Sequence, residues 1–295
     1  MTPNSPSARA FVALQYLLPH HLLSAGVRWL TRRRWPWLKS LLINAFLRGF
    51  AVDMSEAAEP DLRRYRRFNE FFTRALKAGA RPPPPEAGAL ACPVDGTVSA
   101  VGICDDQTLL QAKDQNYTLS ALLAEQPGWV ERFRGGRFLT IYLAPYNYHR
   151  VHMPLTGTLS AACHVAGRLF SVNAVTAAQV PGLFTRNERI ATMFESDGGP
   201  FALILVGALF VGSMSTVWHG EVKPASRRVT RLAATADRAA ELQAPRLLPR
   251  GAEMGRFNMG STIILLLPPD VGRWSDEMHA GKVVRLGETI GQWPG

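Results

Sequence analysis

Four residues of three types in this chain could do acid, base or nucleophile chemistry. A serine, Ser261, follows Gly260 in the run Phe257-Asn258-Met259-Gly260-Ser261-Thr262 and leads into the apolar stretch Thr262–Leu267, which Pro268-Pro269 stops. Two imidazoles stand three residues apart in Tyr148-His149-Arg150-Val151-His152-Met153-Pro154. A carboxylate, Asp95, sits in Cys92-Pro93-Val94-Asp95-Gly96-Thr97. Serine, histidine and aspartate on separate segments are the set that makes a hydroxyl nucleophilic, the aspartate orienting the imidazole and the imidazole taking the proton. Glycine ahead of the serine leaves the Gly260 carbonyl open to attack and allows a strained backbone there. Spacing alone does not bring the three groups together. The Gly-x-Ser-x-Gly turn of many serine hydrolases is missing. Each segment also has a plain reading: Gly-Ser-Thr and Asp-Gly as turns, the two histidines as core or solvated residues. The pair lacks a third ligand in register, so no metal site is expected.

The segments must be carried by something. From about Leu90 onward, short β-rich runs alternate with glycine corners: Thr97–Val101, Phe138–Leu143, Thr158–His164, Phe201–Val206 and Thr262–Leu267. This predicts a mostly antiparallel β body, with helical interruptions at Leu119–Leu123 and Arg227–Gln243. The run Val206-Gly207-Ala208-Leu209-Phe210-Val211-Gly212-Ser213-Met214 has glycines at two positions, which suits close approach of another backbone or of a ligand. Ahead of the β body, residues 54–80 read as helical and polar, and Pro82–Pro85 as a stiff connector. The fold class is therefore α+β, with a helical region over 1–80 and a β-rich domain over 81–295.

The first 50 residues differ in kind. They hold Arg9, Arg28, Arg32, Arg33, Arg34, Lys39 and Arg48 and no acidic residue. Leu38, Leu41, Leu42, Ala45, Phe46 and Phe50 share a helical face, and Trp29, Trp35 and Trp37 bracket the arginine cluster. A cationic, Trp-edged apolar face suits a helix lying in a lipid interface. The charge-free run from Ala10 to Val27 approaches the length of a membrane span, but Pro19-His20-His21 falls in its middle. A net charge of +10 over 295 residues calls for an anionic partner. Because the basic residues lie among Trp, Leu and Phe, lipid is preferred to nucleic acid. The odd count of three cysteines, Cys92, Cys104 and Cys163, reads as buried thiols of a reducing compartment.

In order along the chain, Phe68–Arg74 with Arg81-Pro82, Pro93–Gly96, Tyr148–Pro154, Val206–Ala208 with Val211-Gly212, and Gly251–Phe257 followed by Gly260-Ser261-Thr262 resemble the pyruvoyl-dependent phosphatidylserine decarboxylases in their bacterial membrane-associated form. Met259 stands where that family's motif has Leu, a volume-conserving exchange. The resemblance implies a chain that cuts itself. Asp95 would hold His152, His152 would take the proton of Ser261, and the hydroxyl would attack the Gly260 carbonyl. The products would be a large subunit, residues 1–260, and a small one, 261–295, capped by a covalent pyruvoyl group (pyruvate) made from Ser261. That group would form a Schiff base with the substrate amine and act as electron sink. His149 would be the acid of the decarboxylation step. The resemblance further implies phosphatidylserine in an anionic membrane as substrate, phosphatidylethanolamine and CO2 as products, a peripheral location on the cytoplasmic side of the cell membrane, and a homodimer of processed protomers. Two other functions remain open on the residues: a pyruvoyl decarboxylase of a soluble amino acid, and a non-enzymatic, membrane-tethered β-rich binding module.

Overall fold

Proline and polar side chains break the long apolar N-terminal run into pieces. The computed structural model describes residues 5–104, 108–112, 115–210, 213–222, 229–232 and 247–294. Helix α1 (Pro6–Leu17) starts with Ser5 capping Ala8 N and Pro6 in the first turn. Pro19 ends it, and α2 (His20–Thr31) leaves at 87° to it. Among the described residues no single helix is long and apolar enough to cross a membrane. The polar groups at the bend turn inward. Gln15 accepts from Ser171 N at 2.7 Å, and the buried His20 ring lies 2.6 Å from Gln15 O and accepts from Leu169 N at 3.3 Å. Their hydrogen bonds to the β body fix the undersides of both helices.

Helix α3 (Pro36–Gly49) buries Leu38 and Ile43, with Leu42, Phe46 and Leu47 half-buried around a small cluster of Tyr65, Phe68, Phe71 and Phe72. The inward face is thus rotated toward Ile43 from the expected stripe, and Leu41 and Ala45 point outward. Lys39 is buried because its ammonium caps the carbonyls of Leu62 and Arg63 at 3.2 and 3.3 Å. Residues 54–80 are not the expected long helix. Asp53 and Asp61 accept from Ser55 N and Arg63 N at 2.8 and 2.9 Å, local bonds that compete with helix formation. Only α4 (Phe68–Phe72) forms there, and its aromatic residues pack inward.

Every pair of strands described in the β body is antiparallel, and one isolated parallel bridge joins Arg168 and Asn187. The principal sheet runs β12 (Val229–Arg231), β7 (Gly157–Val165), β8 (Arg189–Ser196), β9 (Gly199–Gly207), β15 (Ser261–Leu267), β5 (Arg137–Leu143), β2 (Gly96–Ile103) and β17 (Val283–Val284), with β13 (Leu247–Leu248) also on β7. A second sheet orders β11 (Gly220–Val222), β10 (Met214–Thr216), β14 (Glu253–Phe257) and β6 (Arg150–His152). Two small ones pair β1 (Ala89–Ala91), β18 (Thr289–Gln292) and β16 (Arg273–Trp274), and β3 (Thr108–Ala112) with β4 (Gln115–Thr118). Short helices α5 (Leu119–Leu122), α6 (Trp129–Phe133), α7 (Ala174–Gln179) and α8 (Leu183–Arg186) fill the connections.

The five expected strands and the helix at Leu119 are all present. Strand β8 was not expected, and β12 stands where the Arg227–Gln243 segment was expected to be helical; the rest of that segment, 227–228 and 233–243, lies outside the described residues. Every residue of β15 is buried, which explains its unbroken apolar run. Cys92, Cys104 and Cys163 are buried.

A candidate active site at the Gly260–Ser261 bond

Two sheets meet where β14 gives way to β15. Strand β14 pairs with β6, so Glu253 lies opposite His152 and Arg256 opposite Arg150. Phe257 N then donates to His149 O at 3.0 Å. After Phe257 the chain turns through 258–260 and enters the principal sheet at Ser261, between Leu143 on β5 and Gly207 on β9. Gly207 is one of the two glycines expected at a close approach: a β carbon there would lie 3.3 Å from Glu188 O. The second, Gly212, lies outside the described residues.

Side chains pin the turn. Asn258 Nδ2 donates to Ser213 Oγ at 2.7 Å and to Ser215 Oγ at 3.3 Å, and Asn258 N donates to Ser213 O at 3.1 Å. Asn69 on α4 donates to Asn258 O at 3.0 Å. Ser213 Oγ also accepts from Arg32 Nη2 at 3.0 Å, and Arg32 Nη1 donates to both carboxylate oxygens of Glu221 at 2.7 and 2.9 Å. The basic N-terminal region therefore reaches the turn directly. Asn69, Ser213 and Asn258 lay inside sequence motifs without a role of their own, and Arg32 was read only as part of the basic cluster, because each acts through a fold-level contact.

Ser261 is buried, and its Oγ has no hydrogen-bond partner among the described residues. Gly260 lies outside the left-handed region, and a β carbon on it would meet Leu143 O at 3.8 Å and His149 Nε2 at 3.9 Å, ordinary contacts. The backbone strain that glycine would allow is not used here, and a β carbon would fit between Leu143 O and the imidazole.

His149 is fully buried under Phe72, with ring centres 4.2 Å apart. Its Nδ1 lies 2.8 Å from Asn147 O, so Nδ1 carries the proton and Nε2 presents a lone pair toward the turn without a partner. Burial lowers its pKa to about 3, opposed by the Asn147 carbonyl and assisted by the charge of Arg74.

His152 is half-buried. Its Nδ1 donates to Gly251 O at 2.7 Å, and its Nε2 accepts from the Tyr148 hydroxyl at 3.1 Å. Its pKa is lowered, chiefly by burial, against the raising influence of the Gly251 carbonyl, Glu253 and Asp95.

Asp95 accepts from Leu286 N at 2.8 Å and from Arg81 Nη1 at 3.4 Å, and Arg81 also grips Glu56. Burial raises the Asp95 pKa although both donors oppose it. Gly96 lets the turn approach: a β carbon there would lie 2.5 Å from Tyr142 O.

His149 is thus brought against Gly260. Asp95 and His152 are neighbours, since His152 N donates to Pro93 O at 2.9 Å and the carboxylate acts on the imidazole through space. They share no side-chain hydrogen bond, and His152 makes none with Ser261. Tyr148, which occupies His152 Nε2, lay inside the sequence motif without an assigned role.

Residues 68–292 match the family model described as "Phosphatidylserine decarboxylase", and residues 10–51 match one described as "PSD". Among curated proteins, the chain is 47% identical over 283 residues to "Phosphatidylserine decarboxylase proenzyme" of Ectopseudomonas mendocina, covering 96% of this chain and 98% of the relative. It is 48% identical to the protein of that name from Pseudomonas fluorescens, covering 96% and 97%. It is 49% identical over 280 residues to the one from Bordetella pertussis, covering 95% and 93%.

Proposed function

The chain belongs to the phosphatidylserine decarboxylase family, and on that premise we propose that it is a self-processing decarboxylase converting phosphatidylserine to phosphatidylethanolamine and CO2. The observation that carries the reading is the placement of Ser261: a buried, unpartnered hydroxyl at the first residue of a central strand, directly after a pinned turn.

Self-cleavage then runs as follows. His152, oriented by Asp95, takes the Ser261 proton. The oxygen attacks the Gly260 carbonyl carbon, and the peptide C–N bond gives way to an ester. Elimination releases residues 1–260 with Gly260 as a carboxylate. The dehydroalanine left at 261 takes up water and loses ammonia, so residues 261–295 begin with a pyruvoyl group. For this chemistry His152 Nε2 must leave Tyr148 and face the serine.

The surroundings of Ser261 fit the group. Both flanking strands hold its backbone, and its side-chain atom lies in a buried space without a competing hydrogen bond. When formed, the pyruvoyl ketone supplies an electrophilic carbonyl that captures the substrate amine and an acceptor for the electron pair left by CO2. His149 delivers a proton to the substrate α carbon. Asn147 O holds Nδ1, so that proton travels on Nε2, the nitrogen facing Gly260. Burial keeps the imidazole neutral until an anion arrives beside it.

The placement of His149 Nε2, 3.9 Å from where a β carbon on Gly260 would stand, also favours a second reading, in which His149 is itself the base of self-cleavage. The histidine variants taken up in the Discussion separate the two.

The rest of the molecule serves the site. Residues 1–80 form the membrane-associating region and 81–295 the catalytic domain, acting peripherally on the cytoplasmic face of the cell membrane as a homodimer of processed protomers. Exposed Trp29, Trp35, Trp37, Leu17, Leu22 and Leu41 beside the Arg32–Arg34 cluster support membrane contact.

A denaturing gel with intact masses tests the proposal. The purified protein should give two pieces parted between Gly260 and Ser261. Ser261→Ala should stay whole and release no CO2 from phosphatidylserine. Lipid decarboxylation unchanged in Ser261→Ala would overturn it.

A further inference from the structure

Besides Ser261 Oγ, Thr262 Oγ1 and His149 Nε2, a buried guanidinium near the turn is left largely unpartnered among the described residues. Arg74 is 6% exposed, and its Nε makes no hydrogen bond. Its Nη2 makes one long bond, 3.5 Å, to Tyr146 O, and the guanidinium carbon lies 5.9 Å from the centre of the Phe71 ring. Neighbouring Arg81 and Arg150 each hold a carboxylate, Glu56 and Glu253. Arg74 forms no ion pair among the described residues. A guanidinium has five N–H donors and stays charged, so leaving it buried and unpaired is expensive. Burial is also what lowers its pKa.

Its place is specific. Arg150 Nε donates to Thr73 O at 2.9 Å, tying the residue before Arg74 to the histidine segment. Phe72, two residues back, stacks on His149, and His149 feels the Arg74 charge. The guanidinium therefore flanks the imidazole that faces Gly260.

We propose that Arg74 is the head-group anion site and binds the phosphodiester of phosphatidylserine. The inference rests on the phosphatidylserine reading given above. The substrate carries two anions, and chemistry chooses between them. The carboxylate must leave as neutral CO2, so a guanidinium paired with it would stabilise the ground state more than the transition state. The phosphodiester keeps its charge from binding to release. Gripping it leaves the barrier untouched and orients the amine and carboxylate end toward position 261. Planar, forked donors match two phosphate oxygens at once.

Binding that is uniform along the reaction appears in KM and not in kcat. The test uses full-length, processed wild type, Arg74→Gln and Arg74→Lys. Both variants should be cut at Gly260–Ser261. With dispersed short-chain phosphatidylserine, Arg74→Gln should raise KM roughly tenfold or more, the scale of one charge-assisted contact. Its kcat should stay within about threefold of wild type. Calorimetric binding of glycerol 3-phosphate to the processed protein should weaken in parallel, and Arg74→Lys should fall between, having charge without the fork. Wild-type KM and binding in Arg74→Gln would overturn the proposal. A fall in kcat at unchanged KM would overturn it too, moving Arg74 to the chemical step. So would failure of both variants to be cut, which would give the residue to folding or self-cleavage. Wild type without phosphatidylserine decarboxylation would instead sink the underlying reading.

Discussion

His149 Nε2 lies 3.9 Å from the point where Gly260 would carry a β carbon, and neither that nitrogen nor the Ser261 hydroxyl has a hydrogen-bond partner. The imidazole is aimed at the turn that ends in Gly260 while its other nitrogen is fixed by Asn147 O. If its task is the decarboxylation proton, His149→Ala should still be cut into two subunits. Its CO2 release should drop roughly 10²- to 10⁴-fold, the usual worth of a positioned acid. Gel and CO2 assay on one preparation check this. An uncut His149→Ala chain would favour the second reading, with His149 as the base of cleavage.

His152 should behave in the opposite way: His152→Ala stays a single chain. Cleavage by a neutral imidazole also has a definite pH dependence. Burial holds the His152 pKa below its ordinary value, so the neutral base persists as pH falls past the normal histidine range. The cleavage rate should be flat from pH 8 through about 6.5. It should decline only below that, as the imidazole gains its proton. Tyr148 donates to the basic nitrogen and so favours the neutral form. Tyr148→Phe should therefore move the acid limb to higher pH. Time courses of cleavage at stepped pH read both; an unshifted limb would remove Tyr148 from the account.

Ser213 joins the N-terminal region to the 258–260 turn, since its Oγ accepts from both Arg32 and Asn258. Ser213→Ala leaves Asn258 Nδ2 with only the longer contact to Ser215 and Arg32 Nη2 without that acceptor. Loss of such buried bonds costs about 1–2 kcal/mol. In a chain of this size that lowers the melting temperature by roughly 2–4 °C. Melting should be compared on a Ser261→Ala background, where no cleavage complicates the transition. Self-cleavage of the single Ser213→Ala variant should slow several-fold, because the Gly260 carbonyl is held less firmly. A wild-type rate would show that the clamp does not position the turn.

How far this site could be read from sequence depends on the range of the interactions involved. The strands at Phe138, Phe201 and Thr262 are local apolar runs, and all appear with boundaries within two residues of those expected. The positions of Ser261 and His149 followed from the same runs, each lying at a strand end. The Asp95–His152 relation did not. Arg81 and Leu286 N, from 14 residues before and 191 residues after Asp95, take up its carboxylate. Residues 54–80 misled because their composition is that of a polar helix, while Asp53 and Asp61 divert the backbone into turns. Lys39 reads in sequence as one of the cationic residues of the N-terminal region, but two carbonyls from the loop after α3 enclose it.

Membrane contact is the last relation open to test, and the inward polar groups of α1 and α2 limit its form. Gln15 and His20 are committed to the β body, so these helices cannot present an apolar surface all round. They expose one side only, with Leu17 at 82% and Leu22 at 72%; Trp37 at the start of α3 is 65% exposed, and Arg33, between α2 and α3, stacks 3.9 Å from the Trp29 ring centre. A one-sided apolar surface with arginines at its edge should lie in the head-group layer and depend on both forces. The full-length protein should float with vesicles containing anionic lipid and much less with zwitterionic ones. Salt at 0.5 M should weaken the association, because it screens the arginines and leaves the apolar contact intact. Replacing Trp29, Trp35 and Trp37 together by Ala should weaken it roughly tenfold or more even at low salt, since several large rings leave the interface. Equal flotation with both lipids, unaffected by salt, would mean that the arginine cluster does not face the membrane.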